Sequence, residues 1–517
     1  MTPERVRIAA KMNRVTGADG QTTFKASLPM GVLFEKSLDP AQLDTERTAL
    51  EERYHALVAR LQEIRAQMKS GSVLSYWDFG DAVARFQAQE RESVLFLEAL
   101  TRHLERDIPF SETMIILCRR FRQKLDRSQV DPAIPFTRYH RSGFDLDRLQ
   151  ARARQGAHPM TTSDIIRQRL NNQQITSTDF ATPNEIVAWF GAVQAQDYPG
   201  GKWAIGLRLP NSTDRDIERA IADRAIVRTW PMRGTLHFVA AADIRWMLKL
   251  LIPRVAAGSA ARLRQAGLDQ AVFARSRKLL VKALEGGKRL TRGAIYKLLE
   301  AAHISTANQR GLYILHYLAE EGTICFASHE GKQPTFALLD EWVLPGRMLE
   351  RDEALAELAI RYFTSHGPAT LQDFAWWSGL TITDARAGLE AVKLRLIEEN
   401  IDGKIYWLPQ STPSAKKHTG TAHLLPNYDE YLVAYTDRSA VRGRIKAVKL
   451  DSRTDAILDP MMVVDGQVVG RWKRTLNKDS ASIATQPFVE LTAAEIRAFA
   501  TAANRYSKFL GMPVVLS

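Results

Sequence analysis

From residue 161 onward the chain repeats one order of elements, and that order restricts its fold more than any other feature. Residues 163–170 begin a helix, Thr182-Pro183-Asn184-Glu185 begins a second with proline in its first turn, and residues 216–223 give a third. Two β-prone runs, Val227-Arg228-Thr229-Trp230 and Thr235-Leu236-His237-Phe238-Val239, then flank Pro231 and Gly234 as a hairpin. Three helices and a hairpin are the elements of a winged helix, the hairpin being the wing. The order recurs with helices from residues 289 and 310, closed by a hairpin of Thr323-Ile324-Cys325-Phe326 and Pro334-Thr335-Phe336-Ala337. It recurs again as a helix–turn–helix from residue 366, whose second helix Thr383 caps, closed by the tight Asp402-Gly403 turn.

The flanks differ. Residues 1–40 lack sustained periodicity and read as a poorly ordered lead-in. Leu50, Tyr54, Leu57, Leu61 and Ile64 then recur at spacings of three and four, the mark of a long amphipathic helix. Three further helices complete a bundle over residues 41–127; the third covers residues 93–106 and the fourth opens with a capping signal at Ser111. The bundle ends in Arg119, Arg120, Arg122, Lys124 and Arg127, a basic cluster that suits either a nucleic-acid backbone or plain solvent. Residues 128–160, broken by proline and glycine, form a linker. The expected fold class is therefore α+β. It comprises the N-terminal helical bundle, three tandem winged-helix units at residues 161–275, 276–345 and 346–410, and a C-terminal β-barrel-like domain over residues 411–517. That domain rests on the hairpin signal at residues 462–472 and a terminal amphipathic helix over residues 490–510.

The 517 residues carry a formal net charge of +13. Such a balance suits a polyanion, because neutralised phosphates release counterions. Cys118 and Cys325 stand far apart, which excludes a cysteine-rich metal site or disulfide framework and suits a reducing cytoplasm. No apolar run reaches the roughly 18 residues of a membrane span, and no secretory segment opens the chain. A cytoplasmic monomer working without metal, cofactor or membrane is expected.

Ahead of the first hairpin lies Val193-Gln194-Ala195-Gln196-Asp197. Residues two apart diverge on a helix but share one side of a strand. Gln194 and Gln196 thus read as two neutral amides presented together, with Asp197-Tyr198-Pro199-Gly200-Gly201 too rich in breakers to continue a helix. Alone, Gln-x-Gln is more often a helix end with solvated amides. Three companions change that: Arg228-x-Trp230-x-x-Arg233-Gly234-Thr235-Leu236-His237, Leu425-Pro426-x-x-Asp429-x-x-Leu432-x-x-x-x-Asp437-Arg438, and Gly466-x-Val468-x-Gly470-x-Trp472. Together the four motifs resemble the AlkZ/YcaQ-type winged-helix DNA glycosylases over residues 160–517. The resemblance implies a basic channel for double-stranded DNA and excision of N-alkylated purines, interstrand crosslinks included. It also implies that Gln196 positions the water attacking the deoxyribose anomeric carbon, with Gln194 assisting.

The chemistry suits neutral amides. An amide does not titrate near neutrality, so Gln196 can hold a water but cannot act as a strong base. That suffices where the leaving purine is already cationic, and carbonyl oxygens would stabilise the oxocarbenium-like sugar left behind. The motif holds no lysine, so a monofunctional hydrolase is expected. Arg233 beside Gly234 suits a phosphate contact. His237 fits either a DNA-facing role or a satisfied strand histidine. Arg471, Lys473 and Arg474, beside a core Trp472, suit a wing reaching DNA. Asp429, Asp437 and Arg438 read as an internal ion-pair network. A non-enzymatic winged-helix DNA-binding protein or transcription regulator is the alternative, since fold alone does not decide function.

Overall fold

The structure, a computed structural model, describes residues 8–17, 19, 21–28, 39–68, 72–91, 93, 95–108, 110–132, 134, 136, 139, 144, 146, 160–410, 420–445 and 459–516. Most of the expected linker at residues 128–160, and residues 411–419, lie outside them. Two compact units divide the chain, Met1–His158 and Pro159–Ser517.

The first unit is not purely helical. Ile8–Thr16 (β1) pairs antiparallel with Thr22–Ser27 (β2), and Leu95–Leu97 (β3) joins β1 in parallel. The expected disordered lead-in is thus partly a hairpin, with Ile8, Ala10 and Met12 turned inward at period 2. That run is too short to stand out among its charged neighbours. Helices Pro40–Met68 and Val73–Glu90 pack on this sheet, and Glu112–Lys124 packs against Val73–Glu90 and Leu100–Asp107. The third helix, Leu100–Asp107, is shorter than expected because β3 takes its first residues, and the fourth is capped by Ser111 as expected. Part of the basic cluster is internally neutralised, Arg122 by Asp81 (3.1 Å) and Arg127 by Asp78 (2.7 Å).

In the second unit, Ala192–Gln194 (β4), Ile226–Met232 (β5), Thr235–Ala240 (β6), Leu290–Thr291 (β7), Ile324–Glu330 (β8) and Gln333–Leu338 (β9) form one sheet in the order β4-β6-β5-β8-β9-β7. The first two hairpins are therefore not separate wings. They join edge to edge where Arg228 on β5 pairs with Phe326 on β8, which covers two strand edges at once. The third hairpin, Leu396–Ile401 (β10) and Lys404–Pro409 (β11), stands apart and turns at Asp402-Gly403 as expected. The helix before it, Ile382–Val392, is capped by Thr381 and not by Thr383.

Four helices, not three, precede the first hairpin: Thr162–Asn172, Pro183–Phe190, Tyr198–Gly206 and Asp214–Ala222. Tyr198–Gly206 begins where the breakers were expected to forbid a helix. Pro199 sits in its first turn, where a missing N–H costs nothing. Gly201 is demanded by packing, because a Cβ there would lie 3.0 Å from Ala195 Cα.

Ala422–Leu425 (β12), Met461–Val464 (β13), Gln467–Leu476 (β14), Ala481–Pro487 (β15) and Val514–Leu516 (β16) form the C-terminal sheet in that order. Among the described residues β12 and β16 do not pair with each other, so the sheet is open where a barrel-like closure was expected. Its core is continuous with that of the first four helices. Trp203 meets Tyr506 edge to face and Phe509 at a tilt, both from helix Ala493–Leu510, and its indole N–H donates to the Leu424 carbonyl at 2.7 Å.

One ion pair fixes this junction. Arg208 meets Asp429 through two N–H···O bonds of 2.9 Å, both side chains being essentially inaccessible. Its remaining donors go to the backbone carbonyls of Gln173 and Ala204 and to Gln173 Oε1. Breaking such a buried pair strands an unpaired charge, at a cost of about 3–5 kcal/mol. Asp429→Ala should therefore lower the unfolding free energy of the second unit by about that much, read from the urea midpoint of its transition.

Candidate active site

The glutamine motif stands on an edge strand. Gly191, at φ +81°, ends the helix Pro183–Phe190 and turns the chain into β4. There Gln194 pairs with His237 of β6, and the Ala195 N–H donates to the Leu236 carbonyl at 2.8 Å. The ladder then breaks. The Leu236 N–H, which a regular pair would return to the Ala195 carbonyl, donates instead to Gln196 Oε1 at 3.2 Å. The displaced Ala195 carbonyl accepts from Arg228 Nε (3.1 Å) and Nη2 (2.9 Å). Gln196 is exposed, so an accessible amide is pinned into the sheet by its own oxygen.

Gln194 behaves differently from its partner. Its side-chain oxygen accepts the Gln196 backbone N–H at 2.8 Å, and the residue is only 6% exposed. The expectation that both carbonyls face outward together is corrected: one amide sits at the surface and the other braces it. Behind β4, Glu430 Oε1 accepts the Gln194 N–H at 3.0 Å. Glu430 Oε2 accepts from Trp377 Nε1 (2.9 Å) and meets His366 Nε2 (3.3 Å), all three side chains being buried. Burial works against this carboxylate's charge. The hydrogen bond and charge of His366, with the Gln194 N–H, outweigh it and hold the group below the ordinary glutamate value.

The expected DNA contacts separate into two places. Arg233 and Gly234 form the β5–β6 turn, both at positive φ (55° and 69°), as a two-residue hairpin of this hand requires. Arg233 is half-buried, with Nη2 3.4 Å from His237 Nε2, and it lines a cleft of about 640 Å³ with Arg254, Arg262 and Trp376. His237 is wholly enclosed, its Nδ1 2.9 Å from the Thr235 carbonyl, so its ring contributes no surface for DNA. Burial first, then Arg233, depresses it to about 3. Arg471, Lys473 and Arg474 line a second cleft of about 760 Å³ together with Asp197 and Asn427. Arg474 forms an ion pair with Asp197, which brings the C-terminal strand β14 against the glutamine segment. Arg471 is held by Gln486 (2.7 Å) and Asp459 (3.3 Å), whereas Lys473 is exposed.

Of the expected network, Asp437 pairs with Lys404 and Arg438 donates to the Leu432 carbonyl. Sequence reasoning missed Arg208, Arg228 and Glu430. A lone arginine in Ile205-Gly206-Leu207-Arg208-Leu209 and a glutamate ahead of Tyr431-Leu432-Val433 were the available signals, since a charge in an apolar run must find a partner.

The solved structure of Streptomyces sahachiroi DNA glycosylase AlkZ matches this architecture with a TM-score of 0.57 and 22% identity, over 69% of this chain and 100% of that one, a likeness of fold. An interstrand DNA cross-link repair glycosylase of Streptomyces sahachiroi is 25% identical over 323 residues, 59% of this chain and 85% of the relative. Residues 187–509 match the family described as DNA glycosylase AlkZ-like, and the chain belongs to that family.

The buried histidines tie stability to pH. His237 binds its proton near 6.5 when unfolded but at about 3 when folded, and His423 is depressed to about 4, in both cases chiefly by burial. Their contribution to stability is complete above about 6.5 and declines as pH falls toward these folded values. Between pH 6 and 4 each should cost about 1.4 kcal/mol per pH unit. His237→Gln should flatten that slope, measured by urea unfolding at a series of pH values.

Proposed function

We propose that this chain is a monofunctional DNA repair glycosylase that hydrolyses the N-glycosidic bond of N-alkylated purines in duplex DNA, crosslinked purines among them. The observation that carries the reading is the Gln196 amide, exposed yet held by the Leu236 N–H through one lone pair of its carbonyl oxygen. The second lone pair is left to hold a water, and the amide remains neutral whatever the pH. Gln196 is the water-positioning residue in this reading, and Gln194 sets its backbone. An N7- or N3-alkylated purine departs as a neutral base, so the protein need only align the water and tolerate the positive charge developing on the sugar.

The reading takes residues 161–275, 276–345 and 346–410 as three winged-helix units along the duplex, with residues 411–517 as the β-domain beside them. Arg233, Arg471, Lys473 and Arg474 are its phosphate contacts. His237 stiffens the strand beneath Arg233. An amide exposed at a sheet edge suits approach to a sugar without swinging its base into a closed pocket, which a base tied to both strands forbids. The relative named as a cross-link repair glycosylase makes crosslinked purines the substrates to try beside simple adducts.

Incubation with a duplex carrying 7-methylguanine should release the free base and leave an abasic site. Gln196→Ala should slow single-turnover release by about 10²–10³-fold and leave affinity for the duplex within about twofold. Binding without any release by the unaltered protein would instead point to a non-enzymatic DNA-binding protein. Lys473→Ala should weaken binding to all duplexes alike and reduce the slope of log affinity against log salt by about 1, measured by fluorescence anisotropy.

A further inference from the structure

We infer that Glu430 is a positioning residue of the reaction, acting on Gln196 through Gln194. The inference rests on the proposed reading of the glutamine pair. β4 is the edge of its sheet, so the Gln194 N–H points away from β6 and has no strand to receive it. Glu430 Oε1 takes that place at 3.0 Å. The next link runs from the Gln196 N–H to Gln194 Oε1 (2.8 Å), and the last from the Leu236 N–H to Gln196 Oε1 (3.2 Å). Two bonds thus lead from a buried carboxylate to Gln196 and a third ties its exposed amide to β6, leaving the catalytic segment little freedom to shift.

The carboxylate is itself held from two sides. Asp429, beside it, is locked to Arg208 and also accepts the Tyr431 N–H, which fixes the start of the turn Glu430–Val433. Trp377 and His366 hold the second oxygen. Among the described residues Glu430 is the acidic side chain that hydrogen-bonds to β4, and a neutral amide could not replace it without loss. A glutamine there offers one carbonyl to three donors and turns an NH₂ group toward one of them. Supporting residues of this kind commonly change function by about 10–100-fold when altered.

Hydrogen exchange and single-turnover excision together test the idea. In the unaltered protein the Gln194 amide should exchange slowly despite its edge position. Glu430→Gln should speed that exchange about tenfold or more and lower the rate of 7-methylguanine release about 10–100-fold. Affinity for the duplex should stay within about twofold and the melting temperature should not track the rate. An unprotected Gln194 amide in the unaltered protein overturns the inference, and that measurement needs no variant to fold. Unchanged release in folded Glu430→Gln overturns it as well. If the unaltered protein releases no base, the glycosylase reading fails, while the exchange data still decide whether Glu430 holds β4.

Discussion

Inside the second unit the guanidinium of Arg208 uses all five of its N–H groups, two of them on Asp429. A fully buried charge is tolerable only when desolvation is offset this completely. The consequence is positional. Asp429 belongs to the segment after β12 and Arg208 follows the helix Tyr198–Gly206, so their pairing sets the C-terminal sheet against the helices that flank the glutamine segment. Glu430 then reaches β4 because its neighbour cannot move. Trp203 and Trp472 reinforce the registration by donating to the adjacent carbonyls of Leu424 and Leu425. The motif Leu425-Pro426-x-x-Asp429 is thus a hinge pin between two parts of one core, not a surface feature.

Much of this was legible in the sequence where spacing is local. The Ser111 cap, two-residue turns at Asp402-Gly403 and Asp465-Gly466, and the extended run through Gln194 all follow from neighbours a few positions apart, whereas the cap expected at Thr383 falls on Thr381. The basic residues of β14 could be named too, but not the Asp197–Arg474 pair that seats them beside the glutamines. What escaped depends on distant partners. One pair, Arg228 with Phe326, fuses two hairpins into a six-stranded sheet, and nothing in either run announces it. The helix Tyr198–Gly206 was hidden because Gly200 and Gly201 read as breakers, whereas they are small so that Ala195 and Asn427 can approach. Glu430 lies 236 positions from Gln194, and only the fold brings the two together.

The broken ladder at Leu236 deserves a physical reason. A regular strand would spend the Leu236 N–H on the Ala195 backbone carbonyl, leaving Gln196 loose at the surface with its rotamer freedom intact. Exchanging backbone for side-chain oxygen orders Gln196 before any substrate arrives, and Arg228 supplies the substitute partner that Ala195 then needs. Arg228 is suited to this because burial has already lowered it to about 10 and its guanidinium lies over Tyr198 and Phe326. It stays charged at neutrality while giving its hydrogen bonds to a neutral carbonyl. Preorganisation of the amide is therefore obtained by moving a hydrogen bond, with no net loss of one.

On the proposed reading, a site that tolerates a cationic sugar should not present uncommitted cations to it. Arg228 is absorbed by a carbonyl and two rings, and Arg474 is neutralised by Asp197. Arg233 is the exception that makes sense of the arrangement. Its Nε, like Nη1 of Arg474, is buried with no hydrogen-bond partner, a state that costs about 1–3 kcal/mol per group. Each arginine lines a cleft. Both cations are thus anchored from within, Arg474 on Asp197 and Arg233 beside His237, and on the proposed reading they meet the duplex at the walls of these clefts.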